Sequence, residues 1–412
     1  MTLVQPFRGL RPVTDKAADV VAPPYDVLNT AEARERVKGH PLSFLHISKP
    51  EIDLAEGTDP YSPEVYEKGA ENLNKLINDK ILIRDEKPCY YVYRLIMGEH
   101  QQTGLVVTAS VADYDKNRIR KHEFTRPDKE DDRVRQIDAL DAQTGPVFLT
   151  YRNNKIVEDI INKVSKSTPT YDLTADDGVK HTIWIVADDN DINTLTETFD
   201  AMDCLYIADG HHRSASASRI AAKRNQGESD TGNSSHDYFL SVIFPDNQMQ
   251  ILDYNRVITD LNGLSEEELL EKISSSFSVE KMNSVCKPEH CTEFSMYLKG
   301  QWYKLQIKSD LIPENDPVAS LDISLLQNNL IEPLLGVSDP RRDKRIDFVG
   351  GIRGLKELEK RVNSGEMQVA FALYPTSLAQ LMDVADANEV MPPKSTWFEP
   401  KLADGLVSHV LD

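Results

Sequence analysis

The chain has 412 residues, 40% hydrophobic and 28% charged, enough for two or three domains or one large core carrying insertions. Those proportions belong to a folded globular protein and exclude a disordered one. Lysine and arginine number 47 against 67 acids, a formal net charge of −20; a surface that acidic repels a phosphate backbone and excludes a general nucleic-acid binder, which needs cations to release counterions.

In chain order, the opening "MTLVQPFRGLRP" has neither an apolar h-region nor a small-residue cleavage site. No stretch approaches the roughly 20 apolar residues that span a bilayer, so a cytoplasmic protein without a membrane partner is expected. The proline-rich "RPVTDKAADVVAPPYDVL" leads to a helix that Asn29 or Thr30 can cap. "LSFLHIS" (42–48) reads as a short buried strand, and residues 61–80 have helical periodicity. "CYYVYRLIMG" with "QQTGLVVTASVADY" reads as a β-hairpin. After the charged segment "KNRIRKHEFTRPDKEDDRVRQIDAL" come a strand, "GPVFLTYR", a helix with a polar turn (153–178) and a second strand, "HTIWIVA". A further helix leads into "CLYIADG", a strand ending at residue 209, and "SASASRIAAKRNQ" forms the next helix. "GESDTGNSSH" is its loop, and "YFLSVIFP" with "MQILDYNRVI" is read as another hairpin. The remainder has a helix at 264–276, strands "EFSMYLKG" and "QWYKLQI" and helical "DISLLQNNLIEPLLG", and then mixes turns, "IDFVGGIRG", "QVAFALYPT" and a helix near 376–388. Strands and helices without a regular βαβ rhythm imply α+β, with mixed β-sheets and surrounding helices. Two regions are expected: 1–195, and 196–412 with a tail (385–412) folding back on the site.

Four cysteines, Cys89, Cys204, Cys286 and Cys291, are too few and too irregular for a disulfide framework. Cys286, His290 and Cys291 lack the second ligand pair of a structural zinc site. The chemistry concentrates instead in "IADGHHRSASASRIAAKR" (207–224). A buried strand followed by a helix places Asp209, Gly210, His211, His212 and Arg213 on the connecting turn. The first amides of that helix lack intrahelical partners and carry a partial positive charge of about half a unit, which makes an anion site. Arg213 adds a planar fork for phosphate or carboxylate. Gly210 lets the backbone approach closely, Ser214 opens the small-residue helix beneath the ligand, and the two histidines can donate to phosphate oxygens. Asp209 can accept a proton or hold a metal. No GxxxxGK[ST] occurs, so a nucleotide site here is not a P-loop.

"ADGHHRSASA" resembles the strand-turn-helix motif of the ParB/sulfiredoxin-like superfamily, and its Asp-Gly-His-His-Arg form is similar to that of the free serine kinases. "PFRGLRP", "VAPPYDVLNTAEAR", "PLSFLHISKPE", "DGHHR" and "MPPKSTWFEPKLADGL" together resemble the DUF1015 family across nearly the whole chain. Sulfiredoxin-like chemistry needs a cysteine in this turn, where residue 211 is His, and the net charge speaks against ParB-like DNA binding. The resemblance implies transfer of phosphate between ATP or ADP and a small hydroxyl metabolite, serine or phosphoserine, assisted by Mg²⁺. A phosphoserine phosphatase and a nucleotide-binding regulatory switch without fast turnover stay open as alternatives.

In that reading Asp209, His211, His212 and Glu123 are catalytic, with Asp209 the base or metal ligand. Gly210, Arg213, Ser214, Arg126, Lys129, Lys394 and Lys401 bind phosphate or nucleotide. Tyr25, Asp26 and His122 face the substrate. "KHEFTRPDKEDDR" offers a phosphate-facing loop or a solvated helix face, and "MPPKSTWFEPK" a tail able to cover a pocket. The partners implied are a small-molecule substrate and a nucleotide; the acidic surface is compatible with a monomer or a homodimer.

Overall fold

The computed structural model describes residues 1–226 and 234–412, an α+β protein of two compact units. The loop read over 227–236 lies outside the described residues from 227 to 233. The first unit comprises residues 1–249 and 400–412, the second 250–399.

The first unit is built on a nine-stranded sheet. Its strands are β1 (Val4–Gln5), β2 (Tyr90–Met97), β3 (His100–Ser110), β4 (Ile119–Arg120), β5 (Val147–Tyr151), β6 (Tyr171–Thr174), β7 (Lys180–Val186), β8 (Leu205–Asp209) and β9 (Tyr238–Pro245). The order is β4-β8-β5-β9-β3-β2-β7-β6, with β1 on β3; β8 pairs parallel with β4 and antiparallel with β5, and β5 pairs parallel with β9. β9 is buried at every position, as befits a central strand with both faces covered. Val157, Ile160, Ile161, Leu195 and Phe199, from the helices at 155–164 and 189–200, join Val107, Leu149 and Ile207 of the sheet in one core. Each such side chain contributes about 1.5–3 kcal/mol on leaving water.

Three helices frame the chemistry: α1 (Pro63–Asn78), α2 (Pro127–Leu140) and α3 (His211–Arg224). Proline in the first turn of α1 and of α2 supplies a preset helical φ where no amide partner is needed. α3 buries Ser214, Ser216, Ala217, Ile220 and Ala221, small enough for close helix packing. Ser216 Oγ donates to the Glu130 carbonyl of α2 at 3.1 Å, and Arg219 reaches Glu130 and Asp131 at 3.2 and 2.7 Å. Glu130 and Asp131 of the 121–133 segment thus pair between helices.

Three readings are corrected. "LSFLHIS" is not a strand: Leu45–Ser48 is a short helix, and Phe44, Leu45 and Ile47, all fully buried, share a core with Leu73 and Leu76 of α1. An apolar run of that length fits either structure. "YFLSVIFP" and "MQILDYNRVI" do not pair. β9 bonds β3 and β5, while Gln250–Leu252 pairs with Trp397–Glu399 and Tyr254–Ile258 with Ile346–Gly350 and Val369–Leu373. A division at 195/196 would cut the helix Asp189–Asp200 and part β8 from β5; the units divide at 249/250 and 399/400 instead.

The second unit carries a six-stranded sheet, wholly antiparallel, in the order Phe277–Met282, Gln301–Ile307, Glu293–Leu298, Val369–Leu373, Tyr254–Ile258, Ile346–Gly350. Phe294, Met296, Leu305 and Phe371 of this sheet pack with Leu326 and Leu330 of the 322–335 helical segment. Among the described residues no helix is long and apolar enough to cross a membrane.

Candidate active site

β8 shifts register against β5 between Ile207 and Asp209, and such a bulge re-aims the side chain that follows it. Gly210 then takes φ 97°, ψ 28°, the left-handed region open to glycine, and a Cβ there would lie 3.3 Å from Val147 Cα. α3 starts at once, with no side chain capping it. The amides of Arg213 and Ser214 bond the Gly210 carbonyl at 2.9 and 3.1 Å, which leaves those of His211 and His212 without an acceptor inside the helix.

Asp209 is held on both oxygens. Oδ1 accepts the Gly210 amide at 2.8 Å and Oδ2 accepts from Lys401 Nζ at 3.0 Å. Burial disfavours its charge, but Lys401 and Arg213 outweigh burial and hold the carboxyl well below the usual range. Its side chain keeps 45% of its surface open, so a ligand can reach it.

The histidines are neutral. His211 Nε2 accepts the His122 amide at 3.4 Å, and Nδ1 faces Glu123 Oε2 at 3.6 Å. Its ring meets His122 edge to face, centroids 4.5 Å apart. Burial, then His122, pushes His211 well below its ordinary pKa, and burial pushes His122 down to about 4. His212 Nε2 accepts the Arg126 amide at 3.0 Å and burial lowers its pKa too. The Nε2 lone pairs of His211 and His212 are thus spent on backbone amides, and Nδ1–H is the donor that remains on each.

Arg213 donates to the Pro146 carbonyl at 2.9 Å and to Asp26 Oδ2 at 3.1 Å, with its guanidinium 5.3 Å from the Tyr25 ring centre. Burial opposes its charge, but Asp26 and Tyr25 keep it protonated. The start of α3 therefore gathers Tyr25, Asp26, His122, Glu123, the Arg126 backbone, Asp209, Gly210, His211, His212, Arg213 and Lys401. Other expected phosphate ligands are otherwise engaged. Ser214 is fully buried, with its hydroxyl turned back on the His211 carbonyl at 3.0 Å. Lys129 Nζ donates to Tyr61 Oη at 2.6 Å, and the Arg126 guanidinium sits on Asp128 at 2.8 Å. Lys394 belongs to the second unit, 5.7 Å from the Tyr254 ring centre.

Sequence reasoning offered Arg133 in "KHEFTRPDKEDDR" without giving it a role, and its guanidinium lies 3.9 Å from the Tyr25 ring centre; it missed Asp404, 1% exposed. A lone acid in the apolar stretch "LADGLV", three residues after Lys401, was the available signal for Asp404.

The donor set does not fit a protein-held Mg²⁺. Such an ion takes one or two carboxylates with open coordination, whereas both Asp209 oxygens are engaged. Among the described residues no group of three or more His, Cys, Asp or Glu could hold a metal. Cys286 instead contacts Ser295 Oγ at 3.3 Å, and His290 pairs with Glu293 at 3.3 Å.

No curated protein matches the chain. Similar solved structures include a free serine kinase in complex with AMP (11% identity, TM-score 0.35, covering 71% of this chain and 86% of that one). Others are SbnI with a C-terminal truncation from Staphylococcus aureus (11%, 0.37, 72% and 84%) and a conserved hypothetical protein from Pyrococcus furiosus (13%, 0.34, 73% and 94%). The family described as protein of unknown function, DUF1015, matches residues 4–324, a span that holds the whole 209–213 turn, and the chain belongs to that family.

Proposed function

We propose that the 209–213 turn transfers a phosphoryl group between a nucleotide, ATP or ADP, and the hydroxyl of a small metabolite, with serine and phosphoserine as the pair. One observation carries this reading: the Lys401 ammonium lies on Asp209 at the uncapped start of α3, beside Arg213. A base, a cation and two amides without a helical acceptor then meet where phosphate would sit. The His211 and His212 amides and Lys401 would take the oxygens of the transferring group, in the role that a metal plays elsewhere. The attacking hydroxyl forms the new O–P bond, the bond to the leaving nucleotide oxygen breaks, and the hydroxyl proton passes to Asp209. A loose transition state asks little of that base, so a carboxylate of low pKa suffices. Glu123, beside His211, is the second candidate base.

Phosphorus NMR tests it on samples holding ATP with L-serine, ADP with L-serine, and phosphoserine with and without ADP, each with and without MgCl₂. The expected result is phosphoserine formed from a nucleotide, or the reverse transfer, with Asp209→Asn abolishing either. Release of inorganic phosphate from phosphoserine alone identifies a phosphatase. Unchanged spectra in the presence of bound nucleotide refute transfer and identify a switch without turnover.

A further inference from the structure

Arg213 also borders a cavity of about 30 Å³, whose polar lining includes Tyr25, Ser48, Arg133, Thr144 and Asp404. Two of these groups are anomalous. Ser48 Oγ and Asp404 Oδ1 have no hydrogen-bond partner among the described residues, although Ser48 is 5% and Asp404 1% exposed. An orphaned buried polar atom gives up its hydration without return, and two facing one cavity mark a place built for a polar occupant. Arg133 completes the set. Its Nε and Nη2 bond Asp132 Oδ2 at 3.0 and 2.7 Å, leaving Nη1 for a ligand.

Charge decides what fits. Asp132 and Asp26 already neutralise Arg133 and Arg213, so a simple anion would meet balanced cations plus the Asp404 carboxyl. A simple amine would satisfy Asp404 but leave Arg133 without a new partner. One group of each sign satisfies both.

We propose that this cavity binds the amino-acid end of a small amphoteric metabolite, with its ammonium on Asp404 and Ser48 and its carboxylate on Arg133. Identifying that ligand as the phosphoryl acceptor rests on the transfer reading above, and Arg213 is the residue common to the cavity and the phosphate turn.

Isothermal titration calorimetry of the full chain tests the assignment with L-serine, glycine, glycolate and ethanolamine. L-serine and glycine should bind, with glycolate (no ammonium) and ethanolamine (no carboxylate) at least about 10-fold weaker. Asp404→Asn and Ser48→Ala should each weaken L-serine at least about 5-fold while ADP affinity stays within about 2-fold. The first variant keeps the side-chain shape and the second removes one unpartnered hydroxyl, and retained ADP binding certifies the fold of each. Equal affinity for glycolate and L-serine, or unaltered L-serine affinity in both variants, overturns the cavity assignment. L-serine bound as described without phosphorus transfer overturns the transfer reading alone.

Discussion

Gly210 is where one residue decides the site. Its φ of 97° lies in the region that costs an L side chain about 1–2 kcal/mol, and an added Cβ would lie 3.3 Å from the Val147 backbone, which would have to give way to hold it. Gly210→Ala should lower stability in urea by about 1–3 kcal/mol and weaken ADP at least about 10-fold, because the His211 and His212 amides turn with it. A variant with unchanged ADP affinity would separate those amides from binding. Asp404 makes a prediction in pH. Burial raises its carboxyl from 3.8 to about 7. Its contribution to stability is therefore complete below about pH 4 and is lost as pH rises through about 7, a difference on the order of 4 kcal/mol. Asp404→Asn cannot ionise, so urea midpoints should show the variant gaining on the wild type between about pH 4 and 7. Parallel profiles for the two proteins would remove burial as the cause.

At the scale of elements, the segment 400–412 ties the site together. Asp404 exchanges backbone bonds with Ala22 at 2.9 and 3.1 Å, Ser408 with Leu10 at 2.8 and 2.9 Å, and His409 pairs with Gln143 in a two-stranded ladder. Gly405, at φ 88°, lets this strand pass where a Cβ would sit 2.8 Å from Phe44 Cβ. Lys401 reaches Asp209 from this fixed base. Lys401→Gln should cost less than about 1 kcal/mol of stability, since the pair is partly exposed, yet reduce ADP affinity by about 10-fold, as measured by calorimetry. A large loss of melting temperature with normal affinity would make the pair structural instead. The turn was legible in the sequence because an apolar strand, a glycine and a run of small residues leave a strand-turn-helix little alternative, and Lys401 because cations flank a buried aromatic tail. Leu45–Ser48 was not legible, since a four-residue segment with apolar Leu45 and Ile47 alternating with His46 and Ser48 suits strand and helix equally and only packing on α1 chose. Asp404 was hidden, and Arg133 was left without a role, for a related reason. Their surroundings are assembled from segments hundreds of residues apart, and no local spacing reports that.

At the scale of the molecule, alternation along the chain was enough to reveal an α+β protein but not to say which strands are neighbours. The apparent hairpin at 238–258 divides among three sheets because β9 finds both its partners earlier in the chain, while Gln250–Leu252 and Tyr254–Ile258 find theirs later. The second unit is in effect an insertion of 250–399 between β9 and the closing strand of the first. Asp209, Lys401, the His211 and His212 amides and the whole cavity lining belong to the first unit. Binding free energy is then deposited in one unit, and at 100-fold excess over Kd it amounts to about 2.7 kcal/mol. Hydrogen–deuterium exchange should show this as slowed amide exchange on adding ADP and L-serine at 209–214, 122–133 and 400–406. The strands at 293–298 and 301–307, in the core of the second unit, should exchange at the same rate with and without ligand. Equal protection of those strands would mean that the inserted unit shares the binding energy, and the site would then have to be redrawn to include it.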